Sequence, residues 1–191
     1  MIADEDDALM EVGQRIQESS GTLLALLDGL ESLNDIRSAP SDESVLILSA
    51  IESAASTLSD RDGTELHLSL HGERDLTTRC DPGLLISVFL NLFQNSVKFH
   101  ESQDCEVSVT IAREGDTAVV DVQDNGPGLA PEGKNVFAPF VRLSNATNRV
   151  GSGLGLTIVD RIARTYGGEA LSMPCDKGAH FQLRFVCLEA S

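Results

Sequence analysis

Several features are scarce in this chain, and each scarcity excludes a class of protein. No apolar run approaches the roughly 18 to 20 residues that a membrane-spanning helix needs, and the acidic start, residues 1–7, cannot act as a signal peptide. The four cysteines form no Cys-x-x-Cys pair, which argues against zinc and redox motifs. With 14 basic against 30 acidic residues the net charge is −16, which argues against nucleic acid as a partner. We expect a reduced, cytoplasmic protein without direct membrane contact.

Two common nucleotide loops are also absent. The sequence has no G-x-x-x-x-G-K-[ST], and in Gly151-Ser-Gly-Leu-Gly155 the third glycine follows the second by two residues, so the dinucleotide fingerprint fails. This loop nevertheless precedes an apolar-periodic stretch that runs from Leu156 to Tyr166 and stops at two glycines. A glycine-rich loop at a helix start favours an anion, because unpaired N–H groups and the helix dipole point there. Taken alone, the same glycines fit a flexible linker equally well.

A second glycine motif, Asp124-Asn-Gly-Pro-Gly128, follows an apolar segment, Ala118 to Val122, that we predict to be a buried strand. A carboxylate accepts a hydrogen bond from the exocyclic amine of adenine. Glycines permit positive φ and let a ligand approach the main chain closely. Such a run is by itself more typical of a plain turn. It gains weight from its position between two other motifs.

Upstream, residues 91–99 form the end of a predicted helix. Asp81 and Pro82 supply an N-cap and a first-turn proline. A predicted apolar stripe recurs from there at intervals of three and four, with members Leu85, Val88, Phe89, Leu92, Ser96 and Phe99. Asn91, Asn95 and Lys98 share the other face, one turn apart. An amide oxygen able to bind Mg²⁺ and an ammonium able to meet phosphate therefore point the same way.

Together these segments resemble the ATP-binding module of sensor histidine kinases, in the superfamily that also holds gyrase, the ninety-kilodalton heat-shock chaperone and mismatch-repair ATPases. The stretch 91–99 resembles the family's N box, and 124–128 its first glycine box. Residues 136–140 resemble the F box, and 151–156 the second glycine box. The resemblance covers about residues 60–191.

The resemblance implies the roles of individual residues. Asn95 would hold Mg²⁺, Lys98 would contact phosphate, and Asp124 would bind the adenine amine of ATP. Residues 130–150 would form a mobile lid over the nucleotide. The expected nucleotide-binding set is Asn91, Asn95, Lys98, Asp124, Gly126, Gly128, Arg142, Arg149, Gly151, Gly153, Leu154 and Gly155, with Asn95 and Lys98 as the catalytic pair and Asn95 as the metal ligand.

Period-two apolar patterns predict strands around residues 65–70, 107–111, 118–122 and 181–185. Turn residues at 113–116 and 176–178 predict hairpins between strands. We therefore expect an α/β two-layer sandwich, with a mixed, mostly antiparallel sheet and helices on one face. The expected division is a helix at 1–40, a connector at 41–60 and an ATP-binding domain at 61–191.

The first segment has a short heptad pattern, in which Ile16, Leu23 and Leu30 are spaced by seven and Leu26 and Leu33 occupy the second seam position. It resembles the second helix of the dimerisation and phosphotransfer hairpin that precedes this module in histidine kinases. The alternative is an amphipathic helix lying on its own domain. The first hairpin helix, with its acceptor histidine followed by Glu or Asp and a downstream Pro, is not found.

None of the four histidines is predicted to be the phosphoacceptor, since His67, His71, His100 and His180 all fall in or beside the sandwich. We expect either a fragment or a protein that phosphorylates a partner in trans. The expected partners are ATP, an acceptor-histidine helix and, through a parent kinase that could be membrane-anchored, a response regulator; the full-length form is expected to be a homodimer.

Two alternatives remain: an anti-sigma-type protein serine kinase, and a phosphotransfer or scaffold relative that lost nucleotide binding. The complete motif set disfavours the second, whereas the F box and the heptad helix disfavour the first. A free-standing ATP hydrolase would carry a glutamate at position 91, where this chain has Asn91, which cannot act as a base.

Overall fold

A computed structural model describes residues 43–62, 66–100, 104–129, 135–141 and 152–188, together with positions 20, 21, 23, 27, 29 and 36. The described elements follow in chain order as β1 (Ser44–Leu46), α1 (Ile47–Asp62), β2 (Leu66–Gly72), β3 (Thr77–Arg79), α2 (Pro82–Phe99), β4 (Cys105–Glu114), β5 (Thr117–Asp124), α3 (Gly155–Thr165), β6 (Glu169–Met173) and β7 (His180–Val186). Across these ranges no helix is both long and apolar enough to cross a membrane.

The main sheet has five strands in the order β2-β4-β5-β7-β6. β2 and β4 run parallel, and the other three neighbouring pairs are antiparallel. β1 and β3 form a separate two-stranded antiparallel ribbon. The predicted mixed, mostly antiparallel sheet is therefore confirmed, and so are the predicted hairpins that join β4 to β5 and β6 to β7.

One face of the sheet and one face of each helix form a single apolar core. Alternate residues of the central strands are buried against the helices, as the period-two pattern predicts: Val107, Val109 and Ile111 in β4, Val120 and Val122 in β5, and Leu183 and Phe185 in β7. The helices contribute Ile51, Leu58, Phe89, Leu92, Phe93, Val159 and Ile162. The two-layer sandwich with helices on one face is confirmed.

The helix that carries the N-box residues begins where the sequence predicts. The Asp81 carboxylate accepts a hydrogen bond from the Leu84 N–H at 3.0 Å, and Pro82 is the first helical residue. Of the predicted apolar stripe, Phe99 is only half-buried, whereas Phe93, which the spacing omitted, is fully buried. Phe93 packs beside Phe89, with ring centroids 6.4 Å apart.

The structure corrects the connector predicted at 41–60. That range holds β1 and most of α1, which packs against α2 and buries Ile47, Ile51 and Ala54 in the common core. The spacing of four and three between these residues is helical, so a signal was present. β1 could not be found in this way, because its three residues pair with β3, more than thirty positions away.

The predicted heptad helix lies largely outside the described residues, and this includes Ile16, Leu26, Leu30 and Leu33. Positions 20, 21, 23, 27 and 29 are helical. Leu23 and Leu27 are 61% and 57% exposed, whereas Gly29 is buried.

The N-cap gives a first prediction. Asp81→Ala should lower the free energy of unfolding by about 1 kcal/mol, because the Leu84 N–H loses its acceptor. Urea unfolding followed by circular dichroism measures the change. The matched control is Asp75→Ala, which removes an exposed carboxylate between β2 and β3. It should change the free energy of unfolding by no more than about 0.5 kcal/mol. Equal effects of the two substitutions would contradict the cap's contribution.

Candidate nucleotide-binding site

The carboxylate of Asp124 is held by three donors at the end of β5. Its Oδ1 accepts backbone N–H groups from Gly126 and Ala179, both at 2.9 Å. Its Oδ2 accepts the Ser96 hydroxyl of α2 at 3.1 Å. A carboxylate offers about four lone-pair sites, so the donors among the described residues leave one acceptor site on Oδ2 without a partner. The carboxylate is therefore fixed in orientation yet still able to bind a donor.

Close backbone contacts set this position. The Asp124 N–H also donates to the Ala179 carbonyl at 3.0 Å, so the strand end is bonded to the β6–β7 loop through both main chain and side chain. Gly178 in that loop has φ +76°, and a Cβ there would overlap the Asp124 carbonyl. Gly128 has φ +79°, and a Cβ there would lie 2.8 Å from the Gly178 carbonyl oxygen. Both positions require glycine.

A second group of predicted residues meets where α3 begins. A Cβ on Gly155 would lie 2.9 Å from Asn91 Oδ1 and 3.8 Å from Asn95 Nδ2, so the bare helix start touches both asparagines. The Asn91 amide donates to the Ser87 carbonyl at 2.8 Å, one turn back along α2. No side-chain hydrogen bond to Asn95 arises from the described residues. Its amide is thus available to a ligand at a helix N-terminus, where anions are favoured.

The loop before α3 contacts the predicted F box. Gly153 has φ +70°, and a Cβ there would lie 3.0 Å from the Phe140 Cα. The Phe140 N–H donates to the Gly153 carbonyl at 3.1 Å. Phe140 itself is 62% exposed and has φ +61°, a strained conformation for a non-glycine residue. Phe137 anchors the same segment through an edge-on contact with Phe181, at 6.2 Å between ring centroids.

Leu154 lies between the two glycines of this loop and is only 1% exposed. Gly29 of the N-terminal helical segment packs against it, since a Cβ on Gly29 would lie 2.8 Å from Leu154 Cδ1. Lys98 extends over the ring of Phe99, with Nζ 5.0 Å from the ring centroid. Arg142, Arg149 and Gly151 lie outside the described residues, as does the lid predicted at 130–150 apart from residues 135–141.

Two thiols lie near the Asp124 carboxylate. Burial raises the pKa of Cys105 to about 11, and the negative charge of Asp124 adds to the effect. The pKa of Cys175 is also raised, by partial burial and then by Asp124 and Asp176. Both thiols are therefore neutral at physiological pH and place no second charge beside Asp124. All four cysteines are free thiols; Cys80, Cys105 and Cys187 are buried and Cys175 is exposed.

The residues beside the start of α3 suit Mg²⁺ bound together with a nucleotide, and do not suit a metal held by protein ligands alone. Within the described ranges, no three or more His, Cys, Asp or Glu side chains form a group that could hold a metal ion. Mg²⁺ at nucleotide sites is bound by one or two protein ligands, with phosphates and waters completing the octahedron. A single amide oxygen from Asn95, which lies beside the N-terminus of α3, fits that requirement.

Sequence reasoning missed the residues that hold Asp124. Ser96 was assigned only to the apolar stripe of α2, and residues 176–178 only to a turn. The available sequence signal for Ser96 was a hydroxyl inside an apolar stripe, because buried polar groups need partners. In the structure Ser96 is 6% exposed. The Ala179 N–H had no sequence signal, since any residue presents one.

Comparison with known proteins is consistent with this geometry. The model of the family described as histidine kinase-, DNA gyrase B-, and HSP90-like ATPase matches residues 80–188. Sensor protein RstB of Escherichia coli (strain K12) is 38% identical over 99 residues, which cover 50% of this chain and 22% of RstB. Sensor protein CutS of Streptomyces coelicolor is 36% identical over 117 residues, covering 58% of this chain and 28% of CutS. The chain thus spans less than a third of either relative.

Solved structures share the fold. The mycobacterial sensor histidine kinase MprB superposes with a TM-score of 0.68 at 22% identity, over 76% of this chain and 98% of that chain. Full-length ShkA in complex with AMPPNP superposes with a TM-score of 0.71 at 26% identity, over 95% of this chain and 39% of that chain.

Proposed function

This chain belongs to the histidine kinase-, DNA gyrase B- and HSP90-like ATPase family, and we propose that it forms the ATP-binding catalytic part of a two-component sensor histidine kinase. In this proposal it transfers the γ-phosphoryl group of Mg²⁺-ATP to a histidine outside the chain. RstB and CutS are both sensor proteins, and MprB is a sensor histidine kinase, which supports the assignment.

The observation that carries the proposal is the Asp124 carboxylate. Its three protein donors leave one acceptor site on Oδ2, which suits the exocyclic amine of adenine. Guanine presents a carbonyl oxygen at the corresponding ring position, and two acceptors repel each other. The site therefore favours ATP over GTP. Gly126, whose N–H donates to Asp124 Oδ1, and Gly128 are proposed to lie beside the base.

The phosphates would extend toward the start of α3. Gly153 and Gly155 leave the backbone bare there, and Asn91 and Asn95 approach from α2. Lys98 lies one turn beyond Asn95 and supplies a positive charge on the same helix. Arg142 and Arg149 are proposed as further phosphate contacts. Asn95 would bind Mg²⁺, which neutralises negative charge on the phosphates when it is bound.

The residues present suit phosphoryl transfer better than hydrolysis. Asn91 cannot take a proton from water, so the site has no base at the position where ATP hydrolases of the superfamily carry one. Transfer to a histidine depends on positioning and charge stabilisation. Within the chain, Asn95 and Lys98 would orient the phosphates, and Asp124 would fix the base at the other end.

The acceptor is proposed to come from elsewhere. His67 and His71 lie on β2, His100 caps α2, and His180 Nε2 lies 2.7 Å from Asp121 Oδ1. We propose that the segment at 1–40 belongs to a dimerisation hairpin, that the full-length kinase is a cytoplasmic-facing homodimer, and that it passes the phosphoryl group to a response regulator.

The base contact is tested with Asp124→Asn. An asparagine keeps Oδ1 as acceptor for Gly126 and Ala179, so the fold should persist, but it turns an NH₂ donor toward the adenine amine. ATP affinity measured by calorimetry should fall about 10- to 100-fold, and the preference for ATP over GTP should disappear. The control, Asp121→Asn, changes another β5 carboxylate, the one paired with His180. Unchanged ATP affinity in Asp124→Asn would rule out this base contact.

The metal role is tested by comparing Asn95→Ala with Asn91→Ala. ATP titrations with and without Mg²⁺ should show that Asn95→Ala loses most of the Mg²⁺ enhancement, because it removes the proposed ligand. Asn91→Ala should weaken binding similarly in both conditions, because it removes the bond to Ser87 and the contact at Gly155. If only Asn91→Ala lost the enhancement of ATP affinity by Mg²⁺, Asn91 and not Asn95 would be the metal ligand.

Activity is tested with γ-labelled ATP. The chain alone should bind ATP, hydrolyse it slowly and leave itself unlabelled, since it has neither a base at position 91 nor an acceptor histidine. An added hairpin carrying the acceptor histidine should become labelled, and its His→Gln version should not. Acid treatment identifies the product, because phosphohistidine is acid-labile whereas phosphoserine is stable. Acid-stable label would favour the serine kinase, and strong label on this chain would implicate one of its own histidines.

A further inference from the structure

Ser96 is a buried hydroxyl with a choice of two acceptors. Its Oγ lies 3.1 Å from Asp124 Oδ2 and 3.2 Å from the Leu92 carbonyl oxygen, one turn back along α2. The residue is 6% exposed. A serine hydroxyl has one proton, so it donates to one of these oxygens at a time. The bond to Leu92 is the i−4 bond that helical serines often form within their own helix, whereas the bond to Asp124 crosses from α2 to β5.

The bond to Asp124 matters because of which oxygen it reaches. Oδ1 is occupied by the N–H groups of Gly126 and Ala179, so Oδ2 is the oxygen left to meet a ligand. Ser96 is the donor that the described residues bring to Oδ2. It occupies one lone-pair direction, directs the other outward, and opposes the negative charge with a donor. Charge-assisted bonds of this kind are the stronger ones.

Ser96 also joins the two ends of the site. It directly follows Asn95, whose side chain lies beside Gly155 at the start of α3. The hydroxyl–carboxylate bond therefore fixes the helix that carries the phosphate-side residues relative to the strand end that carries the base-side residue. A shift of about 1 Å between such groups is enough to weaken ligand binding substantially.

We propose that Ser96 is a positioning residue that sets the selectivity of this site for a purine with an amine at position 6, as in adenine. It acts through Asp124 and not by contact with the nucleotide. The inference rests on the proposed function, because it assumes that Asp124 receives the base of ATP.

The test compares two ligands, ATP and purine riboside triphosphate, in which hydrogen replaces the adenine amine. The wild-type protein should bind ATP about tenfold or more tightly than the analogue. Ser96→Ala should reduce the ratio of the two affinities about three- to tenfold. Ser96→Thr should keep the wild-type ratio, since threonine retains the hydroxyl. The matched control is Ser108→Ala, which removes a half-buried hydroxyl from β4 and should leave the ratio unchanged.

A double-substitution cycle distinguishes positioning from packing. In the Asp124→Asn background, Ser96→Ala should no longer change the ratio, because the residue through which it acts is already altered. Equal weakening of both ligands by Ser96→Ala, or an effect on the ratio that persists in the Asp124→Asn background, would overturn the proposal.

Two further outcomes are distinguishable. If Ser96→Ala does not fold, Ser96→Cys fills the same space with a weak donor and should lower the ratio in the same direction; an unchanged ratio there would also overturn the proposal. If the wild-type protein binds neither ligand, the proposed function fails. If it binds ATP with the expected preference and Ser96 has no influence on that preference, only this inference fails.

Discussion

The structure of the site depends on the pair of hydrogen bonds that Asp124 forms with Ala179 of the β6–β7 loop. Its N–H and its Oδ1 both engage Ala179, and the same Oδ1 accepts the Gly126 N–H. A carboxylate on a solvent-facing turn would rotate freely. Here two backbone donors fix it, so the remaining oxygen points in one direction. The part of the site proposed to bind adenine is thus held mainly by main-chain groups, which do not depend on residue type.

The phosphate side depends on the absence of side chains. Gly153 and Gly155 bring the loop against Phe140 and Asn91, at distances where a Cβ would be crowded, and Gly155 also lies in ordinary contact range of Asn95. Leu154, between them, is buried and packs against Gly29. Through Leu154, the N-terminal helical segment contacts the loop on which phosphate binding is proposed to depend.

Selectivity and chemistry are separated along α2. Ser96 contacts the carboxylate of Asp124, which is proposed to bind adenine. Asn95 lies beside the start of α3, and Asn91 occupies the position where a hydrolase would carry the general base that activates water. These residues lie within two turns of one helix, whose start is fixed by the Asp81 cap. The neutral thiols beside Asp124 leave its charge without a competing anion. A helix of ordinary amphipathic pattern thus carries the residues of three proposed functions on adjacent turns.

The sequence by itself determined four of the five strands of the main sheet, all but β6, together with the helices α2 and α3 and the order of the motifs, because period, capping and glycine placement act locally. It also brought Asp124 and the α2 asparagines forward as candidates. Only the tertiary structure decided that Ser96 and Ala179 hold Asp124 and that β1 pairs with β3. These contacts join residues between 28 and 55 positions apart, or strands of three residues, as β1 with β3. Local sequence patterns do not predict such pairings, because the pairings arise only when the sheet and the helices pack together.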